Sequence, residues 1–396
     1  MSAAVSVDTW SFLLVVGTAA IGGTISAVLG GRGVLLPAVV VELLLGVLVG
    51  PAGLALGHVD AFMEFFSSLG LGMLFFFAGY EIDLRRIKGQ PLVLALLAWL
   101  LSLGLAYTVG GVLAQLGIVL SLLYTGSALA TTAIGTLIPI LSDNGELKTR
   151  FGTFLLAAGA VGEFGPIMLL TLILTTQSPL ENAVILVAFV ALAVLVAVVA
   201  VRSAERTLPL MTLTIDKSSQ LAVRWVVVLV FALALIAADL GLDLLLGGFA
   251  AGLITREVLR DREVKALDSK LTAVAFGFFV PFFFVVSGMS LDIGALFGSS
   301  SGLMKLVIFF VLFLVVRGAP VLLLYRKVMD LRDRVALAFF VSTQLPLVIA
   351  ITAVAVDAGR MRADTAAALI TAAVLSTLVY PMVGLRLRQG GAPQPA

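Results

Sequence analysis

The sequence predicts an all-α polytopic membrane protein of about thirteen transmembrane helices, and three observations carry that prediction. Of 396 residues, 61% are hydrophobic and only 12% charged, with a mean hydropathy of +1.18; soluble chains are about one quarter charged. Apolar runs near the ~20 residues that cross a bilayer recur from one end to the other. The basic residues also segregate by loop. This balance excludes a nucleic-acid role, because the positive charge is spent on orientation. The chain has no cysteine, so disulfides and thiolate metal sites are excluded as well.

The predicted spans run in order through 10–29, 35–50, 65–80, 91–116, 119–141, 152–176 and 181–201, then 219–237, 242–256, 271–290, 303–325, 335–356 and 364–385. The opening "MSAAVSVDTW" lacks the basic stretch of a signal peptide, so the first run reads as a retained helix. With the N-terminus outside, Arg85, Arg86, Lys148, Arg150, Arg202, Arg256, Arg326, Lys327, Arg386 and most other basic residues fall on one face. Only Lys305, Arg360 and Arg362 fall on the other, and Arg317 lies inside a span. The positive-inside rule then puts the C-terminus in the cytoplasm. The longest loops, 202–218 and 257–270, are cytoplasmic. The closing "RQGGAPQPA" is too rich in Gly and Pro to fold. One transmembrane domain therefore covers 1–390, with a disordered tail at 391–396.

Nearly all charged residues sit in loops or at span ends, and Glu42, Glu163 and Arg317 are the clear exceptions. Intramembrane charge is costly and normally faces a bundle interior, on a substrate or proton path. Glu163, in "GAVGEFGPIML", lies about eleven residues into its span, or ~16 Å along the helix at ~1.5 Å per residue, which is close to the midplane. Glu42, in "LPAVVVELLLGVLVGP", lies nearer a helix start and reads as structural.

Two spans look broken. "YTGSALATTAIGTLIPIL" combines Ser127, Thr131, Thr132, Gly135 and Pro139, and "VSTQLPLVIAITAV" combines Ser342, Thr343, Gln344 and Pro346. Proline removes a backbone donor, and backbone groups freed inside lipid must find protein or a water-filled cavity. Polar, Pro-interrupted spans at matching places in two halves point to a transporter's midplane site. These are the fifth and twelfth spans. An odd offset opposes their directions, so spans 1–6 and 8–13 are predicted to be inverted repeats carrying two crossed broken helices.

At these residues the chain resembles a monovalent cation:proton antiporter of the sodium/hydrogen exchanger superfamily, antiporter-2 branch. "LPAVVVELLLGVLVGPAGLAL", "GLGMLFFFAGYEIDLRRIK", "ALATTAIGTLIPIL", "LLLGGFAAGLI" and "PFFFVVSGMSLDI" are each similar to signatures of that branch, and together they cover almost the whole chain. The resemblance implies an ion site in the sixth span, on a pair that is usually two aspartates, Asn-Asp or Gln-Asp. Here the matching positions are Gly162 and Glu163, so Glu163 is the implied carrier and Gly162 departs from the pattern. The family's basic residue of the eleventh span corresponds to Arg317. A homodimer is also implied.

The function expected is therefore antiport of Na+ or K+ against H+ by alternating access across a plasma-membrane bilayer, with no cofactor and no enzymatic step. A bare carboxylate in a dry cleft is disfavoured, so Glu163 takes either a proton or a transient Na+ or K+ as its partner. Thr131 and Thr132 are the expected neighbouring ligands. Gly162, Ser342, Thr343, Gln344 and Arg317 are the expected support, with Arg317 compensating half-helix dipoles or pairing with Glu163. One titratable group implies an electroneutral cycle. Sodium-coupled symport of an organic anion would want more cationic groups at the site. A non-transporting sensor would not need a midplane acid beside two broken helices, and a channel gains little from one titratable residue.

Overall fold

The computed structural model describes residues 8–32, 36–82, 84–173, 179–214, 217–242, 244–259, 265–298 and 300–389, and every regular element among them is helical. In order these are α1 (Thr9–Gly30), α2 (Ala38–Val49), α3 (Ala61–Tyr80), the short α4 (Leu84–Ile87), α5 (Gln90–Gln115), α6 (Leu122–Leu129), α7 (Ile134–Asp143), α8 (Arg150–Ile173) and α9 (Pro179–Leu213). There follow α10 (Leu221–Asp239), α11 (Leu244–Val258), α12 (Lys265–Val274), α13 (Val280–Met289), α14 (Ile293–Phe297), α15 (Ser300–Leu324), α16 (Leu331–Val341), α17 (Pro346–Asp357) and α18 (Ala363–Gln389).

The starts and stops follow from local chemistry. Asp60 caps α3 by accepting from Met63 N at 2.8 Å, and Asp330 caps α16 by accepting from Asp333 N at 2.7 Å. Helices α5 and α10 end where Gly117 and Gly241 adopt positive φ, 71° and 76°, a conformation that costs glycine little.

Among the described residues, nine helices are long and apolar enough to cross a membrane, or ten if the bent pair α16/α17 is one span. All thirteen predicted segments contain helix. Three of them, α2, the stretch Leu122–Ile138 and α11, are shorter than a full crossing, so the count of thirteen crossings stays an expectation. Helix α9 continues to Leu213, so most of the 202–218 segment between predicted spans is helical, while the apolar window long enough to cross ends at Ser203. The tail at 391–396 lies outside the described residues, as do 33–35 and 260–264.

The chain divides into two units. The first takes in residues 1–20, 57–83 and 167–286. Its α3 and α11 cross at near backbone contact: a Cβ on Gly248 would stand 2.6 Å from Gly72 O, and Cβ atoms on Gly79 and Gly252 would strike Phe249 O and Phe76 O. Without a water-driven hydrophobic force between helices in lipid, such close approach of small residues is what packs them. Phe12, Phe62, Phe66, Phe278 and Phe282 form an aromatic cluster with ring centroids 4.9–6.0 Å apart. A π-helical turn, Ala275–Phe279, joins α12 to α13.

The second unit takes in residues 21–56, 84–166 and 287–396. It contains both broken spans, α6/α7 and α16/α17, packed with α5, α15 and α18. The halves α16 and α17 are bent by 41°, and Pro346 opens α17 at a position where its missing N–H is harmless. In the first broken span the interruption is not at Pro139, which lies within α7. It falls at Ala130–Ala133, ahead of the proline.

Candidate ion-binding site

All eight residues singled out from the sequence lie in the second unit. The two interruptions meet there. Ala133 N donates to Thr343 O at 2.8 Å, Thr132 Oγ1 donates to Val341 O at 2.6 Å, and Gln344 Nε2 donates to Leu129 O at 3.2 Å. Each break thus satisfies backbone groups that the other has released, which is what a chain without water must do.

Helix α8 supplies the third wall. Pro166 lacks an N–H, so the carbonyl four residues earlier, Gly162 O, has no helical donor. Thr132 N takes its place at 3.0 Å. The proline therefore creates the acceptor that ties α8 to the first break. Gly165 has a different task from the one its neighbours suggest, because a Cβ there would stand 2.6 Å from the Trp99 ring. That ring in turn donates from Nε1 to Ala130 O at 3.1 Å.

Glu163 is 3% exposed. Its Oε2 accepts from Ile134 N at 3.2 Å, and the Gly135 amide also faces it. These are the first two amides of α7, so the carboxylate sits at the positive end of a half-helix that begins inside the unit. Thr131 Oγ1 has one proton to give, directed to Gln344 Oε1 at 2.7 Å or Ala128 O at 3.0 Å. Among the described residues no donor points at its lone pairs, which leaves them open to a cation.

Thr132 is placed differently. Its hydroxyl donates to Val341 O and accepts from Arg317 Nε at 3.0 Å and Nη2 at 2.7 Å. One donor and two lone pairs exhaust a hydroxyl, so while Arg317 holds this position Thr132 has no lone pair left for an ion. Arg317 itself is 3% exposed and also reaches Ala158 O and Ser102 Oγ, each at 3.4 Å. Among the described residues no ion pair joins it to Glu163. Ser342 and Thr343 turn their hydroxyls back to Ala338 O (2.7 Å) and Phe339 O (3.5 Å) on α16. Thr343 serves through its carbonyl, which Ala133 N uses.

Two contributors to the site, and one buried ion pair away from it, escaped the sequence reading. Ser376 and Thr377 on α18 hold the second break: Gln344 N donates to Ser376 Oγ at 3.0 Å, and Gln344 O accepts from Ser376 Oγ (3.2 Å) and Thr377 Oγ1 (3.1 Å). Adjacent hydroxyls inside an apolar span were the available signal. Lys305, assigned to a loop face, is 2% exposed and pairs with Asp364 at 2.6 Å and Thr365 at 3.0 Å. Glu42 is buried, and among the described residues its Oε2 has no hydrogen-bond partner.

The model of the family described as "Sodium/hydrogen exchanger, transmembrane" matches residues 16–385. The chain belongs to the sodium/hydrogen exchanger family. Among curated relatives of this exchanger is "Probable Na(+)/H(+) antiporter 3" of Methanocaldococcus jannaschii, 27% identical over 67% of this chain and 68% of its own length. "Na(+)/H(+)-K(+) antiporter GerN" of Bacillus cereus is 27% identical over 64% of this chain and 65% of its own. "Cation/H(+) antiporter 17" of Arabidopsis thaliana is 26% identical over 88% of this chain but only 45% of its own. The exchanger thus spans about half to two thirds of the length of these relatives. Its fold matches that of the sodium proton antiporter MjNhaP1 from Methanocaldococcus jannaschii, with a TM-score of 0.67 and 16% identity over 95% of this chain and 99% of that one.

Proposed function

We propose that this exchanger moves a monovalent cation, Na+ or K+, against H+ by alternating access, with Glu163 holding cation and proton in turn. The observation that carries the reading is the carboxylate of Glu163 at the N-terminus of the half-helix α7, where two broken spans meet. A lone carboxylate with neutral oxygens around it carries one negative charge, which one monovalent cation or one proton neutralises. Thr131 Oγ1 is the neighbouring hydroxyl with lone pairs to spare. Thr132 and Gly162 belong to the support, with Arg317, Ser342, Thr343 and Gln344. The names of the relatives support Na+ and H+ as substrates, and that of the Bacillus cereus protein adds K+. The cycle is electroneutral, thirteen crossings build two inverted repeats, and the protein acts as a homodimer in the plasma membrane with its N-terminus outside and its C-terminus cytoplasmic.

The test is direct. Purified protein is reconstituted into proteoliposomes with a pH-sensitive dye, and Na+, K+ or Li+ is added. Exchange predicts cation-dependent proton movement in wild type. Proton movement indifferent to every cation tried rejects the reading.

A further inference from the structure

We infer that Gly162 is a notch that seats the Arg317 guanidinium, and that the seated guanidinium keeps Thr132 out of the cation's coordination shell. The two residues together then set cation specificity. The inference deepens the exchange reading above and rests on it.

Three observations carry it. First, a Cβ built on Gly162 would stand 2.6 Å from Thr132 Oγ1 and 2.8 Å from Thr132 Cβ, and would strike Arg317 Nη2. Even one methyl group does not fit there: the Thr132 backbone is held by its N–H on Gly162 O, so the end of the Arg317 side chain and the Thr132 hydroxyl are the groups that must yield. Second, the guanidinium delivers two of its N–H groups to the same oxygen of Thr132, which fills both lone pairs that a cation would need. Third, among the described residues the acceptors of Arg317 are all neutral: Thr132 Oγ1, Ala158 O and Ser102 Oγ. A buried charge without a counter-charge is held by geometry alone, so a change in the notch shifts it.

The two hydroxyls at the first break thus have unequal roles. Thr131 keeps open lone pairs toward the site, and Thr132 is engaged by a resident cation that never leaves the protein. Unseating the guanidinium returns an oxygen ligand to the ion. Arg317 and Gly162 are positioning residues in this scheme, acting on the transported ion through Thr132.

The experiment compares wild type, Gly162→Ala, Thr132→Val, and the double variant Gly162→Ala with Thr132→Val, each in proteoliposomes. Apparent KM for Na+ and for K+ is measured separately from kcat, and the thermal midpoint in detergent is followed with and without Na+. Gly162→Ala favours the helix, and its midpoint without cation serves as the folding control. It is expected to lower the apparent KM of at least one cation by about three- to tenfold, as one added oxygen ligand should. The KM ratio of Na+ to K+ is expected to change with it. Thr132→Val is the reference for the double variant, in which Gly162→Ala is expected to bring no further gain in KM over Thr132→Val alone. A purely structural role for Gly162 would lower kcat or stability without this Thr132-dependent reversal. A Gly162→Ala protein with wild-type KM values, or a gain that survives Thr132→Val, overturns the inference while exchange itself stands. Wild-type liposomes that show no cation-driven proton movement overturn both.

Discussion

Glu163 combines three properties that rarely coincide in one side chain: depth in a span, almost complete burial, and contact with the first amides of a half-helix. The amides stabilise the charged form while burial penalises it, and under the proposed mechanism a proton and a cation are expected to compete for the same oxygens. Glu163→Gln keeps the shape and an oxygen that can accept from Ile134 N, so the protein is expected to fold with its thermal midpoint held. Exchange is expected to fall to the level of empty liposomes, and residual cation-driven alkalinisation would make Glu163 structural. Glu163→Asp withdraws the carboxylate by one methylene and is expected to slow exchange on the order of tenfold without abolishing it. Competition also has a pH signature. When protonation wins, each unit drop in pH raises the apparent cation KM by up to about tenfold, with a smaller effect on the maximal rate. An initial-rate series from alkaline to acidic pH reads this, and a flat KM would indicate separate proton and cation sites.

Among elements, the link between α8 and the first break is the most specific. Pro166 leaves Gly162 O without a helical donor and Thr132 N supplies one. In Pro166→Ala the restored amide competes for that carbonyl. The helix gains up to ~3 kcal/mol in intrinsic propensity, so the thermal midpoint should hold or rise while kcat falls. An unchanged kcat would show that the tie is incidental. On the opposite side, Ser376→Ala combined with Thr377→Val strips the hydroxyl bonds from Gln344, at a cost of about 1 kcal/mol per bond. It is expected to lower the midpoint and raise cation KM together, because Gln344 also orients Thr131. These two elements also mark how much was legible beforehand. The Pro, Gly and hydroxyl content of "ALATTAIGTLIPIL" and "VSTQLPLVIAITAV" announced two breaks, and the depth of Glu163 marked it as the candidate carrier. What holds the first break in place was not legible. Proline is a local cue, whereas the break at Ala130–Ala133 is held by partners on α8 and α16/α17 that are distant in sequence. The saturation of Thr132 was hidden for the same reason, since nothing near it in sequence specifies the approach of Arg317. Lys305 looked like a loop residue because its partner Asp364 lies 59 residues away.

For the whole molecule the deciding quantity is the number of charges that alternate during a cycle. Four ionisable side chains are buried among the described residues: Glu42, Glu163, Lys305 and Arg317. Lys305 is matched by Asp364 at 2.6 Å. Arg317 keeps its proton, because a guanidinium does not release one in proteins. Position 162, where the family pattern supplies a second polar group, carries no side chain here, and the structure fills that space with Arg317. Glu42 is on α2, and no hydrogen bond ties its buried Oε2 to the break network. Among the described residues this leaves Glu163 as the candidate to trade a proton for a cation, so one H+ is expected to leave for each monovalent cation bound, with no net charge crossing. A cycle that moved one elementary charge would respond to ~100 mV with ~2.3 kcal/mol, up to about fiftyfold in rate if the whole drop fell on the limiting step. Proteoliposomes clamped at inside-negative, zero and inside-positive potential are therefore expected to exchange at the same initial rate. A rate that follows the potential would require a second titrating acid, and Glu42→Gln would then be expected to remove the voltage dependence.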